Sequence, residues 1–328
     1  MIASLQWLAR HQNPDGSWHA RQRCEVCPDR GSAEHDPGLT GLALLAFVGA
    51  GYTHLSRDVH QGRCFGDTVK RAIQWIATHQ DADGAIGPRD AKKFMYNHAI
   101  CTLALCETYA ITGSMLFKDA AQRAVTFLLA AQNPGKGWRY HSRSGENDAS
   151  VTGWAVMALA SARLCDLAVP RASLDGALAL LRELTDENGR TGYSWRGTAK
   201  VVIDGVNDGF DHHEAMTAIA LMSARLLRDG PKPDARLVAS DPPAWSPDEL
   251  DFYYWYCGTL ALVGTLHAGE WRKRLRAALL PRQNRTGCLA GSWDPVDRWS
   301  SEGGRIYATA INALSLEDHY CYGNAFGR

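Results

Sequence analysis

The sequence predicts an all-α protein whose helices close into an α/α toroid, and three observations carry that prediction. An amphipathic segment with an aromatic-aliphatic pair and a terminal Gln recurs, each time running into a Gly-rich turn that reaches Trp or Tyr. Between the copies stand segments of small apolar residues with almost no charge. The two kinds alternate along the whole 328-residue chain. A helical hairpin cannot bury its own apolar face, so repetition on this scale makes each pair stack on the next.

The first copy is Trp7, Leu8 and Gln12, followed by Gly16 and Trp18, and the second is Trp75, Ile76 and Gln80 with Gly84. The third runs from Phe127, Leu128 and Gln132 to Gly137 and Trp138. Looser copies span Ala177 to Trp195, where Leu184 takes the Gln position, and Arg276 through Gln283 to Gly291 and Trp293. Charged residues along one face mark these as outer helices. The small-residue segments, at 40–46, 99–105, 152–158, 215–220, 257–261 and 308–313, read as helices packed on several sides, hence six inner helices. Between Gly230 and Ser246 the chain is Pro-rich and weakly periodic, so the outer helix of the fifth pair is short or missing. Six inner and five to six outer helices, repeating every roughly 40 to 65 residues, make one closed domain over 1–328, which can have been excised from a longer chain.

Composition narrows the function. With 35 basic and 35 acidic residues the net charge is zero, and no basic stripe stands out, which argues against nucleic acid as a partner. No apolar run approaches the roughly 18 residues of a transmembrane helix, and no signal peptide precedes the first helix. The compartment stays open between the cytoplasm and an exported protein. Nine cysteines cannot all pair internally. Cys101, Cys106 and Cys257 fall on inner helices and read as small core residues. Cys24 and Cys27 lie in a polar loop as Cys-Glu-Val-Cys and read as free thiols, a disulfide or two metal ligands.

Chemistry is expected where the inner helices start. Aligning these helices on their small-residue cores brings Asp36, Asn97, Asp148, His213, Tyr253 and Arg305 to one position, about one turn ahead. Asp36 before Pro37 and Asp148 before Ala149 fit helix N-caps. Alternatively the set forms a polar ring around one mouth of the barrel, converging on a ligand. Tyr96, His98, Trp154, Tyr253, Trp255 and Tyr307 would then add aromatic walls, which suit extended apolar ligands and stabilise passing carbocations. Successive helical positions diverge by about 100°, so some of these aromatics must pack between layers. His98, Asp148, His212 and His213 are the candidates for giving or taking a proton. The run from Asp204 to Glu214 reads as a polar loop or as a metal-binding or proton-transferring cluster, and Asp294 to Asp297 as a second acidic cluster or a rigid turn.

These repeats resemble those of the squalene and oxidosqualene cyclases and the protein prenyltransferase β subunits. Over 2–322 the chain looks like bacterial prenyltransferase and squalene oxidase repeat proteins, through Tyr96 to Ala99, Asp148 to Trp154, Tyr253 to Trp255, and Gly291 to Asp297. The resemblance implies a toroid with a central cavity. Squalene-type cyclases begin with an Asp-x-Asp-Asp acid at the corresponding helix start, whereas this chain reads Asp148-Ala149-Ser150-Val151 and keeps one carboxylate. Isolated at a helix N-terminus, Asp148 is expected to have a lowered pKa. The prenyltransferase likeness implies a zinc held by Asp, Cys and His, yet no Asp-x-Cys pair occurs. No cofactor is therefore expected, with zinc left open only by Cys24 and Cys27. The expected function is binding of an isoprenoid, lipid or peptide without classical cyclase chemistry. The alternative is a divergent terpenoid cyclase, isomerase or prenyltransferase acting on an isoprenoid in the barrel.

Overall fold

The computed structural model describes residues 1–21, 31–197, 207 and 214–317. Among these residues the outer helices are α1 (Ile2–Arg10), α3 (Phe65–Thr78), α5 (Met115–Ala130), α7 (Arg171–Leu184), α9 (Ala235–Ser240) and α11 (Ala268–Leu279). The inner helices are α2 (Asp36–Gly49), α4 (Phe94–Thr112), α6 (Ala149–Leu164), α8 (Ala215–Leu227), α10 (Phe252–Leu262) and α12 (Ser300–Glu317). Each inner helix packs on the next, and α12 returns to α2, so the ring closes. The Pro-rich stretch leaves the fifth outer helix six residues long. No helix among the described residues is long and apolar enough to cross a membrane.

Residue size explains the two layers. Every residue of α2 except Asp36 is buried, and Gly41 lets its backbone come up against the Cys101 backbone of α4. By contrast, α3 buries Phe65, Val69, Ala72, Ile73 and Ile76 along one face and turns Asp67, Lys70 and Gln74 outward.

The repeated Gln and Gly are the joints between outer helices. Gln12 donates to the carbonyls of Gly16 and of Thr68 in α3, both at 2.9 Å. Gln80 does the same to Gly84 and to Ala120 of α5, and Gln132 to Lys136 and to Ser173 of α7. Gln283 donates to the Gly291 carbonyl at 2.9 Å and to Ser4 Oγ of α1 at 3.0 Å, which docks the last unit on the first. Gly16, Gly84 and Gly291 adopt φ of +100°, +94° and +100°, each with its α-carbon against a backbone carbonyl of the next outer helix. Leu184 offers no such amide, and its outer neighbour is the short α9.

A second tie runs from each turn to the inner layer. The backbone N–H groups of Trp18, Trp138 and Thr191 donate to Thr40, Thr152 and Thr217 Oγ1 at 3.0 to 3.1 Å. In the second repeat Ile86 N donates instead to His98 Nδ1 at 3.2 Å. His98 therefore stands in the threonine position. Counting four residues back from each tie gives Asp36, Phe94 and Asp148, not Asn97, so the sequence alignment of α4 is out by three residues. The slip arises because α4 lacks the Thr-Gly pair that marks the register in α2 and α6.

Candidate ligand cavity

A cavity of about 180 Å3 opens where the inner helices begin. Tyr96, Tyr140, Tyr193, Tyr253 and Tyr307 bring phenols to its walls, and Leu42, Ile100, Met216 and Ile311 supply apolar surface. Trp154 lies between Tyr253 and Tyr256, stacked at 5.9 and 5.8 Å with interplanar angles of 8° and 18°. One turn farther along these helices the Tyr256 hydroxyl reaches Met157 Sδ at 4.0 Å, so side chains from α6 and α10, two places apart in the ring, meet in the lumen.

The rim is charged. His35 Nε2 lies 2.5 Å from Glu302 Oε2, and Lys93 Nζ lies 3.2 Å from Glu302 Oε1. The His35 hydrogen bond, more than the Lys93 charge, holds the Glu302 carboxyl down at about 2. These contacts join the entrances of α2 and α4 to α12.

Behind the phenols lie two buried carboxyls. Asp148 caps α6, accepting from Val151 N at 2.7 Å through Oδ1 and from the Tyr193 hydroxyl at 3.1 Å through Oδ2. Arg139 Nε stands 3.9 Å away. Burial pushes this carboxyl up to about 7 against the pull of those hydrogen bonds and of Arg139. The lowered value expected from a helix N-terminus is thus reversed, because a fully buried charge loses more hydration than the amides return. From Tyr193 the network continues to the Tyr140 hydroxyl at 2.7 Å, and Ser150 Oγ meets the Tyr253 hydroxyl at 3.0 Å. Asp297 is the second carboxyl, accepting from Ser300 Oγ at 2.6 Å, Phe252 N at 3.0 Å and the Tyr307 hydroxyl at 3.1 Å. Burial, reinforced by the nearby Asp251 charge, pushes it up to about 7 as well.

Of the residues expected at the mouth, Tyr96, Asn97, Trp154, Tyr253 and Tyr307 line the cavity, and Asp148 lies one layer behind. Asn97 spends its side chain on the Gly38 amide and the Glu34 carbonyl. Asp36, His98, Trp255 and Arg305 are placed elsewhere. Asp36 accepts from Ala20 N at 2.8 Å, and Trp255 packs on Phe252 and Trp245 between the layers. Arg305 turns to Asp294 Oδ1 at 2.6 Å and the Trp293 carbonyl. His98 accepts from Ile86 through Nδ1 and donates from Nε2 to the Ala124 carbonyl at 3.1 Å, and burial pushes its imidazole down to about 4. A neutral ring with both nitrogens spent on the backbone is a joint rather than a proton carrier. His212, His213, Cys24 and Cys27 lie outside the described residues. Among the described residues, no three His, Cys, Asp or Glu side chains gather as a metal site would require.

Sequence reasoning passed over Lys93, Glu302, Tyr140 and Tyr193, and named Asp297 only within the Asp294 to Asp297 segment. A signal existed for two of them. Tyr140 and Tyr193 each stand two residues beyond the turn residue that ties to an inner threonine, a position that the repeat register carries to the cavity.

The sequence matches no protein-family model and no curated protein. Solved structures match it along nearly its whole length. The GH76A alpha-1,6-mannanase of Salegentibacter sp. aligns at 11% identity and a TM-score of 0.63 over 96% of both chains. An alpha-amylase from Clostridium perfringens aligns at 11% and 0.61, over 97% of this chain and 96% of that one. The type II terpene cyclase MstE from Scytonema aligns at 15% and 0.56, over 96% and 95%. At such identities the likeness shows the α/α-toroid fold and nothing finer.

Proposed function

We propose that the protein binds an elongated apolar molecule of isoprenoid or lipid type in the barrel, polar end toward the His35, Lys93 and Glu302 rim. The observation that carries this reading is the makeup of the cavity, with aromatic and aliphatic surface backed by carboxyls that reach it only through phenols. Glycoside hydrolysis needs two carboxyl groups flanking the scissile bond, whereas among the described lining residues Glu302 alone brings a carboxylate to the wall, engaged by His35 and Lys93, and Asp148 and Asp297 are covered. The terpene cyclase MstE, similar in fold at 14% identity and solved in complex with geranylgeranyl dihydroxybenzoate as substrate, supports this reading.

The reading is tested by native mass spectrometry after incubation with C15 to C30 isoprenoids. Wild-type protein should retain one such molecule, and Met216→Trp, which fills the cavity, should weaken retention at least tenfold while leaving the melting temperature within a few degrees. Equal retention by both proteins would place any binding outside the barrel.

One observation favours a second reading, in which the site also transfers protons. Asp148, held near neutrality and bonded to Tyr193 on the wall, is placed to exchange a proton with the cavity through that phenol. A divergent cyclase or isomerase would then turn over an isoprenoid, and Asp148→Asn would abolish the product while retaining ligand.

A further inference from the structure

We infer that Tyr307, held by Asp297, is a second oxygen-reading anchor across the cavity from Tyr193, and that the molecule taken up is uncharged and carries a hydroxyl or carbonyl oxygen. This narrows the binding reading above and rests on it. In the closed order of six inner helices α6 and α12 stand three places apart, which sets the Asp148–Tyr193 and Asp297–Tyr307 pairs on opposite walls. Both phenols line the cavity, and both donate to a carboxyl at 3.1 Å.

Such a pair serves either kind of oxygen. With the carboxyl ionised, the phenol's hydrogen is spent on it and its lone pairs are left to accept from a ligand hydroxyl. With the carboxyl protonated, the bond can reverse, and the phenol then offers its hydrogen to a ligand carbonyl. Burial holds Asp297 near neutrality, so both forms are accessible at ordinary pH. A pure hydrocarbon would leave this polar surface dry and unmatched, which is unfavourable.

Charge excludes the opposite extreme. Lys93 is the cationic side chain among the described lining residues, with the imidazole of His35 beside it, and both are already engaged by Glu302. Asn97, the amide at the same rim, is committed to backbone groups of the α2 entrance. A diphosphate ester would bring several negative charges into a rim whose lysine faces a carboxylate, and would have to displace it.

The test compares farnesol, farnesene and farnesyl diphosphate by titration calorimetry on the full chain. Farnesol should bind about tenfold more tightly than either of the others, the worth of one hydrogen bond in a dry site. In Tyr307→Phe the farnesol-to-farnesene ratio should fall to within about twofold of unity, with Asp297→Asn as the second variant if the first melts early. A tightest-binding diphosphate, or a ratio unchanged in Tyr307→Phe, would overturn the inference. Equal binding of farnesol and farnesene to wild-type protein overturns it while leaving the binding reading intact, and failure of all three to bind overturns both.

Discussion

Buried carboxyls set how this protein responds to pH. Asp148 and Asp297 hold their protons up to about 7, well above the value an aspartate has in the unfolded chain. Between those limits the folded state binds more protons than the unfolded one, so stability falls as pH rises from about 4 to 7 and then levels. Glu302 acts in the other direction, since its carboxyl is held at about 2 and its contribution is lost as pH drops below its ordinary value. Thermal melts should therefore show a decline of several degrees from pH 5 to pH 8, and the decline should be shallower in an Asp148→Asn, Asp297→Asn double variant. A decline just as steep in the double variant would assign the effect to other groups. His98 shows why residue type alone misleads: a histidine at a helix entrance invites a catalytic reading, yet here it replaces a threonine that ties two layers.

At the scale of elements, the strength of the fold lies in its turns. At the first, second and last turns Gly16, Gly84 and Gly291 are each required twice over, by positive φ and by the carbonyl of the next outer helix packed against them. Gly84→Ala should cost about 3 kcal/mol or more, because a methyl group there meets the Arg123 carbonyl as well as paying the left-handed strain. Gly113→Ala has positive φ but open space and should cost only about 1 kcal/mol. Urea titration of the two variants measures the difference, and equal midpoints would remove the packing argument. Four of the five successive aromatics of α10 illustrate helical divergence. Tyr253 faces the cavity, the Tyr254 hydroxyl bonds the carbonyls of Val238 and Asp241, Trp255 enters the interlayer core, and Tyr256 reaches Met157.

For the whole molecule, closure matters more than any one repeat. In an open solenoid the terminal unit has one neighbour and frays first. Here α1 packs on α12 and α2, and Gln283 ties the final turn to Ser4. Hydrogen exchange in α1 should consequently be as slow as in α5, which sits mid-chain. Exchange of α1 ahead of the remainder would mean that the seam opens independently. The same closure gathers the inner-helix entrances around one mouth and so creates the cavity.

Two concentric layers, the short fifth outer helix and the location of the polar mouth were legible in the sequence, because repeat period, residue size and proline content act locally and leave marks at fixed spacing. Which mouth residues meet the lumen was not, since the register of each inner helix is set by ties to the turns, and in α4 a histidine replaces the threonine that marks it. Nor were the charge states of Asp148 and Asp297: hydrogen-bond partners can be guessed from neighbours in the chain, but desolvation depends on what the other five helices bring against a group. Tertiary structure alone decided that the rim is held by His35, Lys93 and Glu302, three residues from two ends of the chain that become neighbours only when the ring shuts.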